Sequence, residues 1–285
     1  MDILPDELII EILSYLPAHS LRLFGYTSKS CFAFSSHEDL WKSIFVSTHK
    51  QGTVDWRGTW RRTVLSLTSE QEAKINCEGV ISELLTQPYL NASIDLSPYS
   101  RIKDSIPRLA TALFTGSDQR RSEAFSKPFI LRHIVEKWPA YKKWTLPYLL
   151  EQFPNQATFQ IESVEWTVPT YVRYMSSNHD ESPLYLFDKD FATKHTTNGI
   201  PLERDYQVPE IFKEDLFNLL GNARPDHRWL IIGPARSGST FHKVRSPYVI
   251  AENRIQMQRA LGMQSSQALN FGFYFLQVSL LLEFM

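Results

Sequence analysis

The sequence predicts an α+β protein in which a small helical module precedes a β-barrel-type domain with helical insertions. Apolar residues recur at helical spacing near the N-terminus, and short β-type runs alternate with helical segments further along the chain. With 285 residues, 43% of them apolar, the chain can form a packed core. We divide it into a helical module at 1–48, a helical connector at 49–124, a β-rich region at 125–243 and a tail at 244–285.

Charge and cysteine content limit the class of protein. A net charge of −1 gives no electrostatic reason to expect nucleic acid or an anionic membrane as the partner. Cys31 and Cys77 form no metal-binding or redox spacing, and we expect two buried thiols in a reducing compartment. The acidic start MDILPDEL lacks the positive n-region of a signal peptide. We therefore expect a nuclear or cytoplasmic protein.

The first segment is typical of an amphipathic helix with Pro5 in its first turn and Pro17 after its end. Its apolar residues at helical spacing are Leu4, Leu8, Ile9, Ile12, Leu13 and Leu16. Shorter helical segments follow as far as Phe45. So small a unit cannot bury all of this apolar surface, which is compatible with a docking role. Periodicity alone favours the alternative, that these residues are simply the core of a helical bundle.

The N-terminal sequence resembles the F-box from Leu4 to about Phe45. It reads LPDELIIEILSYLP followed by LRLFGYTSKSCFAFSSHEDLWKSIF. The resemblance implies that the module binds the Skp-type adaptor of a cullin-RING ubiquitin ligase. The residues that it assigns to adaptor contact or to support of that surface are Leu4, Pro5, Leu8, Ile9, Ile12 and Leu13.

The start of the connector interleaves tryptophans with arginines. Aromatic and basic residues together can stack on and neutralise a nucleic-acid strand. We prefer the interpretation that Trp56 and Trp60 bury a helix against the next domain while Arg57, Arg61 and Arg62 point outward. We therefore do not expect nucleic acid as a partner.

The β-rich region contains several motifs in a fixed order. They are KPFIL, KWTLPYL, SPLYLFD, DYQVPEIFKEDLF and RWLIIGPARSGSTFHK. The pattern around them predicts a strand at PFIL, helices closed by Pro139 and by Pro154, and a strand at ATFQIES. From Lys127 to Lys243 the motifs resemble the first half of a JmjC (cupin) oxygenase domain, nearest the phosphatidylserine-receptor-like branch of arginine demethylases and lysyl hydroxylases.

This resemblance implies Fe(II) and 2-oxoglutarate as cofactors, and a protein substrate such as a histone whose lysine is hydroxylated or whose methyl group is removed. It places His242 as the first metal ligand. Tyr185 and Ser239 correspond to hydroxyl donors for the cosubstrate carboxylate, since a hydroxyl can donate to an oxyanion without adding charge. The alternatives are that Tyr185 is a core aromatic and that Ser239 is a turn residue beside Gly238.

The acidic partner of His242 is missing from the sequence. A non-haem Fe(II) oxygenase site uses two histidines and one carboxylate, usually with the pattern His-x-Asp/Glu on one strand. Here Val244 occupies the acidic position, and the later carboxylates are Glu252 and Glu283, with no later histidine or aspartate. The JmjC resemblance also stops after Lys243. We therefore expect a truncated domain that does not turn over.

Three interpretations remain open. The first is a JmjC protein whose complete form is an Fe(II)/2-oxoglutarate-dependent protein hydroxylase or demethylase. The second is a non-catalytic F-box substrate receptor of a cullin-RING ligase, and the third is a non-functional gene-model product. One hypothesis for the abrupt change at Val244 is that the tail is translated intron sequence. Its apolar end, Phe271 to Leu282, is shorter than the roughly 20 residues of a membrane span.

Overall fold

The computed structural model describes residues 4–49, 54–87, 107–110, 129–154, 157–209, 219–221, 228–234, 255–256 and 270–275. The helices are α1 (Asp6–Ser14), α2 (Ala18–Gly25), α3 (Lys29–Ser35), α4 (Glu38–Thr48), α5 (Trp60–Leu65), α6 (Pro139–Lys143), α7 (Leu146–Gln152) and α8 (Val168–Ser177). The strands are β1 (Arg108–Leu109), β2 (Ile130–Leu131), β3 (Thr158–Ile161), β4 (Val164–Thr167), β5 (Leu186–Asp188), β6 (Arg228–Gly233), β7 (Ile255–Gln256) and β8 (Asn270–Phe275). The predicted arrangement, a helical module followed by sheet and helices, is confirmed.

Helices α1 to α4 form the predicted N-terminal module. Its core consists of Ile9, Leu13, Leu21, Phe34, Leu40, Trp41 and Phe45. Ser28 caps α3 by accepting a hydrogen bond from the backbone N–H of Cys31 at 3.1 Å. The indole N–H of Trp41 donates to the carbonyl oxygen of Ser35 at 2.7 Å, so the largest core side chain has its polar atom satisfied.

The main sheet has the strand order β4-β3-β5-β6-β8-β7, and its neighbouring strands are antiparallel. β8 pairs with β6 along the whole of Arg228–Gly233. A separate pair, β1 and β2, is parallel. One face of the main sheet shares a core with α8, and its buried residues are Phe159, Ile161, Val164, Trp166, Leu186, Leu230 and Ile232.

The helical module and the sheet contact each other directly. The ring of Phe45 in α4 lies 5.9 Å from that of Trp166 in β4, centroid to centroid. Trp60 of α5 lies 6.3 Å from Trp166, and Trp56 packs edge-on against Tyr174 of α8 at 5.1 Å. The expectation that Trp56 and Trp60 bury a helix against the following domain is met, because these contacts merge the two parts into one core.

A short 3-10 helix, Val135–Lys137, ends before Pro139 as predicted, and Pro139 itself begins α6, because a proline in the first turn loses no intrahelical hydrogen bond. Two local predictions are wrong. Arg61 is 5% exposed rather than outward-pointing, and its guanidinium pairs with Glu72 at 3.0 Å. Cys77 is only half-buried, and its thiol donates to the carbonyl oxygen of Lys29 at 3.7 Å. Among the described helices, none combines the length and apolar composition needed to cross a membrane.

Candidate functional site

The predicted cofactor residues fall into two groups. Tyr185 is among the described residues, whereas Ser239 and His242 lie outside them. The structure therefore bears on the tyrosine alone.

Tyr185 immediately precedes β5 and lies across the edge of β6. Leu186 is paired with Ile232, so extending this register by one residue places Tyr185 opposite Gly233. A Cβ atom on Gly233 would lie 2.6 Å from Cζ of the tyrosine ring, which is closer than real Cβ contacts allow. Gly233 therefore leaves the space that the Tyr185 ring occupies.

The turn between β3 and β4 fixes the backbone of Tyr185. Its N–H donates to Oε1 of Glu162 at 3.1 Å. Glu162 has a φ of 47°, in the left-handed region that non-glycine residues rarely adopt. The turn thus places the Glu162 carboxylate against the backbone N–H of Tyr185, the residue before β5.

Tyr171 of α8 contacts the backbone on both sides of Tyr185. Its hydroxyl accepts from the N–H of Leu186 at 3.0 Å, and its proton is within reach of the carbonyl oxygens of Ile232 at 2.6 Å and Leu184 at 3.0 Å. Burial raises the pKa of the Tyr171 hydroxyl, so it remains a neutral donor at physiological pH. Tyr171 therefore joins β5 to β6 at the point where Tyr185 is presented.

Tyr174, one turn further along α8, makes the adjoining contacts. It accepts from the N–H of Leu184 at 2.8 Å and donates to Oδ2 of Asp180 at 2.6 Å. Burial also raises the pKa of this hydroxyl. The indole N–H of Trp60 donates to the same carboxylate, at 3.0 and 2.9 Å from its two oxygens.

Sequence reasoning missed Tyr171, Tyr174 and Asp180. The available signal was the spacing of two tyrosines three residues apart on a helix with a buried face, since a buried tyrosine hydroxyl usually requires a partner. The partners themselves lie in other elements, and helical spacing does not identify them.

The described residues do not fit an iron site. They contain no group of three His, Cys, Asp or Glu side chains placed to hold a metal ion. Asp188, the buried carboxylate nearest Tyr185 in sequence, accepts from the backbone N–H of Gln160 at 2.9 Å and pairs with Lys194 at 3.3 Å. Its role in the described structure is to hold β5 against β3.

The residues predicted for adaptor contact divide into a buried and an exposed set. Ile9 and Leu13 are 5% and 3% exposed and support the module from inside. Leu4, Pro5, Leu8 and Ile12 lie on the surface, and Ile12 is 55% exposed. We call these four residues the α1 ridge. The exposed Tyr15, Leu23 and Tyr26 were not predicted, although Tyr15 follows Leu8 and Ile12 at helical spacing.

Comparison with known proteins gives matches to both parts of the chain. Residues 1–47 match the F-box-like family model. The chain is 35% identical over 250 residues to arginine-specific demethylase JMJ22 of Arabidopsis thaliana, covering 85% of this chain and 48% of that protein. It is 30% identical to lysine-specific demethylase JMJ21 of the same plant, covering 85% of this chain and 26% of the relative.

A third relative matches a shorter stretch. The bifunctional arginine demethylase and lysyl-hydroxylase psr-1 of Caenorhabditis briggsae is 39% identical over 149 residues, covering 50% of this chain and 37% of that protein. The chain thus spans about half, or less, of the length of each relative.

Proposed function

We propose that this chain, which joins an F-box-like domain to a segment homologous to JmjC proteins, belongs in its complete form to the Fe(II)- and 2-oxoglutarate-dependent protein hydroxylases or demethylases. The observation that carries this proposal is the placement of Tyr185. Its ring lies over Gly233, and hydrogen bonds hold the backbone at and around it. A hydroxyl fixed in this way is suited to orient an oxyanion such as the 2-oxoglutarate carboxylate.

We further propose that the 285-residue chain does not itself turn over. His242 is followed by Lys243 and Val244 where the acidic ligand would stand, and residues 245–285 contain no histidine or aspartate. Removing two of three protein ligands from a facial iron site should abolish useful affinity for the metal.

Anaerobic titration of the purified chain with Fe(II) and 2-oxoglutarate tests the loss of the metal site. We expect no saturable metal-to-ligand charge-transfer band and no metal-dependent succinate. A one-to-one band that disappears in His242→Ala would overturn this expectation, because it would mean that other residues of the chain complete the ligand set.

A second function is favoured by the α1 ridge. Apolar side chains at helical spacing on an exposed face are the surface that a groove-forming partner binds. We propose that the ridge binds a Skp-type adaptor and that the chain presents a protein substrate, such as a histone, to a cullin-RING ligase.

Co-purification with a Skp-type adaptor tests this docking. We expect Leu8→Asp and Ile12→Asp to weaken adaptor binding at least about thirtyfold, as expected when a charge enters an apolar interface core. Ser14→Asp is the matched control, because it adds the same charge at an exposed position of α1 outside the ridge. Both ridge variants should keep the wild-type melting temperature. Equal adaptor binding by ridge and control variants would reject the proposal.

A further inference from the structure

We propose that a hydrogen-bonded network positions Tyr185 from the F-box-like module, with Lys42 at one end and Asp180, Tyr174 and Tyr171 as positioning residues along it. This inference rests on the proposed function only in taking Tyr185 as the cosubstrate donor. The network itself is a property of the described residues.

The network begins in α4, inside the F-box-like region. The ammonium of Lys42 donates to the carbonyl oxygen of Ser182 at 2.6 Å and lies 3.7 Å from Oδ2 of Asp180. The Asp180 side chain is only 7% exposed, and the Trp60 indole N–H also donates to it. A buried carboxylate is stable only when its oxygens have such partners, so Asp180 holds the module against the loop after α8.

The middle of the network is a single hydroxyl group. Tyr174 donates to Asp180 and accepts from the N–H of Leu184, so its proton and one lone pair are both committed. This arrangement fixes the position of Leu184 relative to Asp180. Any shift of the module that moves Asp180 therefore acts on the residue directly before Tyr185.

The network ends on the two sides of Tyr185. The Tyr171 hydroxyl contacts the carbonyl oxygen of Leu184 and the N–H of Leu186, the residues that flank the tyrosine in sequence. The same hydroxyl reaches the carbonyl oxygen of Ile232, next to Gly233. Because the ring of Tyr185 fills the space above Gly233, a small displacement here changes where its hydroxyl is presented.

Contiguous contacts do not by themselves prove energetic coupling, so the test must read out Tyr185 after a change in the F-box-like module. We would label the 285-residue chain with 15N-tyrosine, which gives a small set of amide signals from its 12 tyrosines. The signal of Tyr185 is assigned by its loss in Tyr185→Phe. The variants are Tyr174→Phe in the middle of the network and Lys42→Met at its far end.

The matched controls are Lys29→Met and Tyr141→Phe. Lys29 is an exposed lysine of the same module, and Tyr141 is 40% exposed on α6. We expect Tyr174→Phe to shift the Tyr185 amide signal and to raise its hydrogen-exchange rate at least about fivefold, because Leu184 loses its acceptor. Lys42→Met should shift the same signal in the same direction by a smaller amount. Both controls should leave it in place.

The proposal is overturned if the Tyr185 amide signal has the same chemical shift in Lys42→Met as in Lys29→Met. If Tyr174→Phe does not fold, Asp180→Asn takes its place, since it keeps the side-chain shape and removes the charge that accepts from Trp60 and Tyr174. The response to Lys42→Met decides the network whether or not the chain binds Fe(II) and 2-oxoglutarate, because that binding is measured separately by the anaerobic titration.

Discussion

Glu38, the first residue of α4, is a carboxylate whose charge state is changed by folding. It lies at the contact between the helical module and α5, where its carboxylate accepts from the backbone N–H of Trp60. Burial raises the pKa of Glu38 to about 7, and the nearby negative charges of Asp180 and Glu72 act in the same direction. The backbone N–H groups of Trp60 and Arg61 oppose this shift.

The direction of this shift predicts a pH dependence. Since the folded pKa is above the ordinary value of 4.5, the folded protein binds the proton more tightly than the unfolded chain. This contribution to stability is fully present below about pH 4.5 and is lost as the pH rises through 7. Glu38→Gln should therefore gain free energy of unfolding relative to wild type between pH 5 and pH 8, on the order of 3 kcal/mol.

Urea unfolding of both proteins at pH 5, 6, 7 and 8 measures this gain. Glu83→Gln is the control, because Glu83 is exposed and its substitution should leave the pH dependence as it is in wild type. Parallel pH profiles for wild type and Glu38→Gln would show that the carboxylate is already charged in the folded protein at pH 5.

At the scale of single elements, α5 depends on its cap. The Thr59 hydroxyl accepts from the N–H of Arg62 at 3.1 Å, so α5 begins with Trp60 at its first position. Thr59→Ala should lower the free energy of unfolding by about 1 kcal/mol, because one N–H of the first turn loses its acceptor. Thr59→Ser, which keeps the hydroxyl, should recover most of this loss in denaturant titrations. A serine variant as unstable as the alanine variant would assign the effect to packing of the methyl group.

Sequence patterns predicted the elements better than their partners. α1 was predicted because an apolar stripe at a period of 3.6 residues is a local property of the sequence. Pro139 was predicted only as the end of a helix, and the start of α6 was missed, because proline is compatible both with the end of one helix and with the first turn of the next. Placing it required knowing which residues the short helix α6 packs against.

In the candidate site, too, the sequence predicted a residue but not its tertiary partners. Tyr185 was identified from the SPLYLFD motif, whereas Tyr171 and Gly233 were not. The Tyr171 hydroxyl reaches Ile232, 61 residues along the chain, and Gly233 is required by a ring that approaches it from the neighbouring strand. Such contacts depend on strand register, which short-range spacing does not determine.

For the whole molecule, the main consequence is that the helical module and the sheet share a core. Trp60 contacts Phe45 on one side and Trp166 on the other, at 5.4 and 6.3 Å between ring centroids. The indole N–H of Trp60 donates a hydrogen bond to the carboxylate of Asp180, which belongs to the part of the chain that contains the sheet. A module tethered by a flexible linker would unfold by itself, whereas a shared core couples the two unfolding equilibria.

We therefore predict a single cooperative transition in which far-UV circular dichroism and tryptophan fluorescence coincide. Asp180→Ala should lower both midpoints together, by roughly 2–4 kcal/mol in free energy of unfolding, because it leaves the buried donors of Trp60 and Tyr174 without an acceptor. Asp55→Ala is the control. Its carboxylate is 69% exposed and pairs with Arg57, so its loss should cost less than about 1 kcal/mol.

Two outcomes would contradict a shared core. In the first, the two probes separate in the wild-type chain, so the helices unfold without the sheet. In the second, Asp180→Ala is no more destabilising than Asp55→Ala, so the buried carboxylate does not stabilise the contact between the helical module and the sheet. If neither occurs, a partner bound to the α1 ridge is held at a fixed orientation to Tyr185, because the shared aromatic core joins the helical module and the sheet into one cooperative unit.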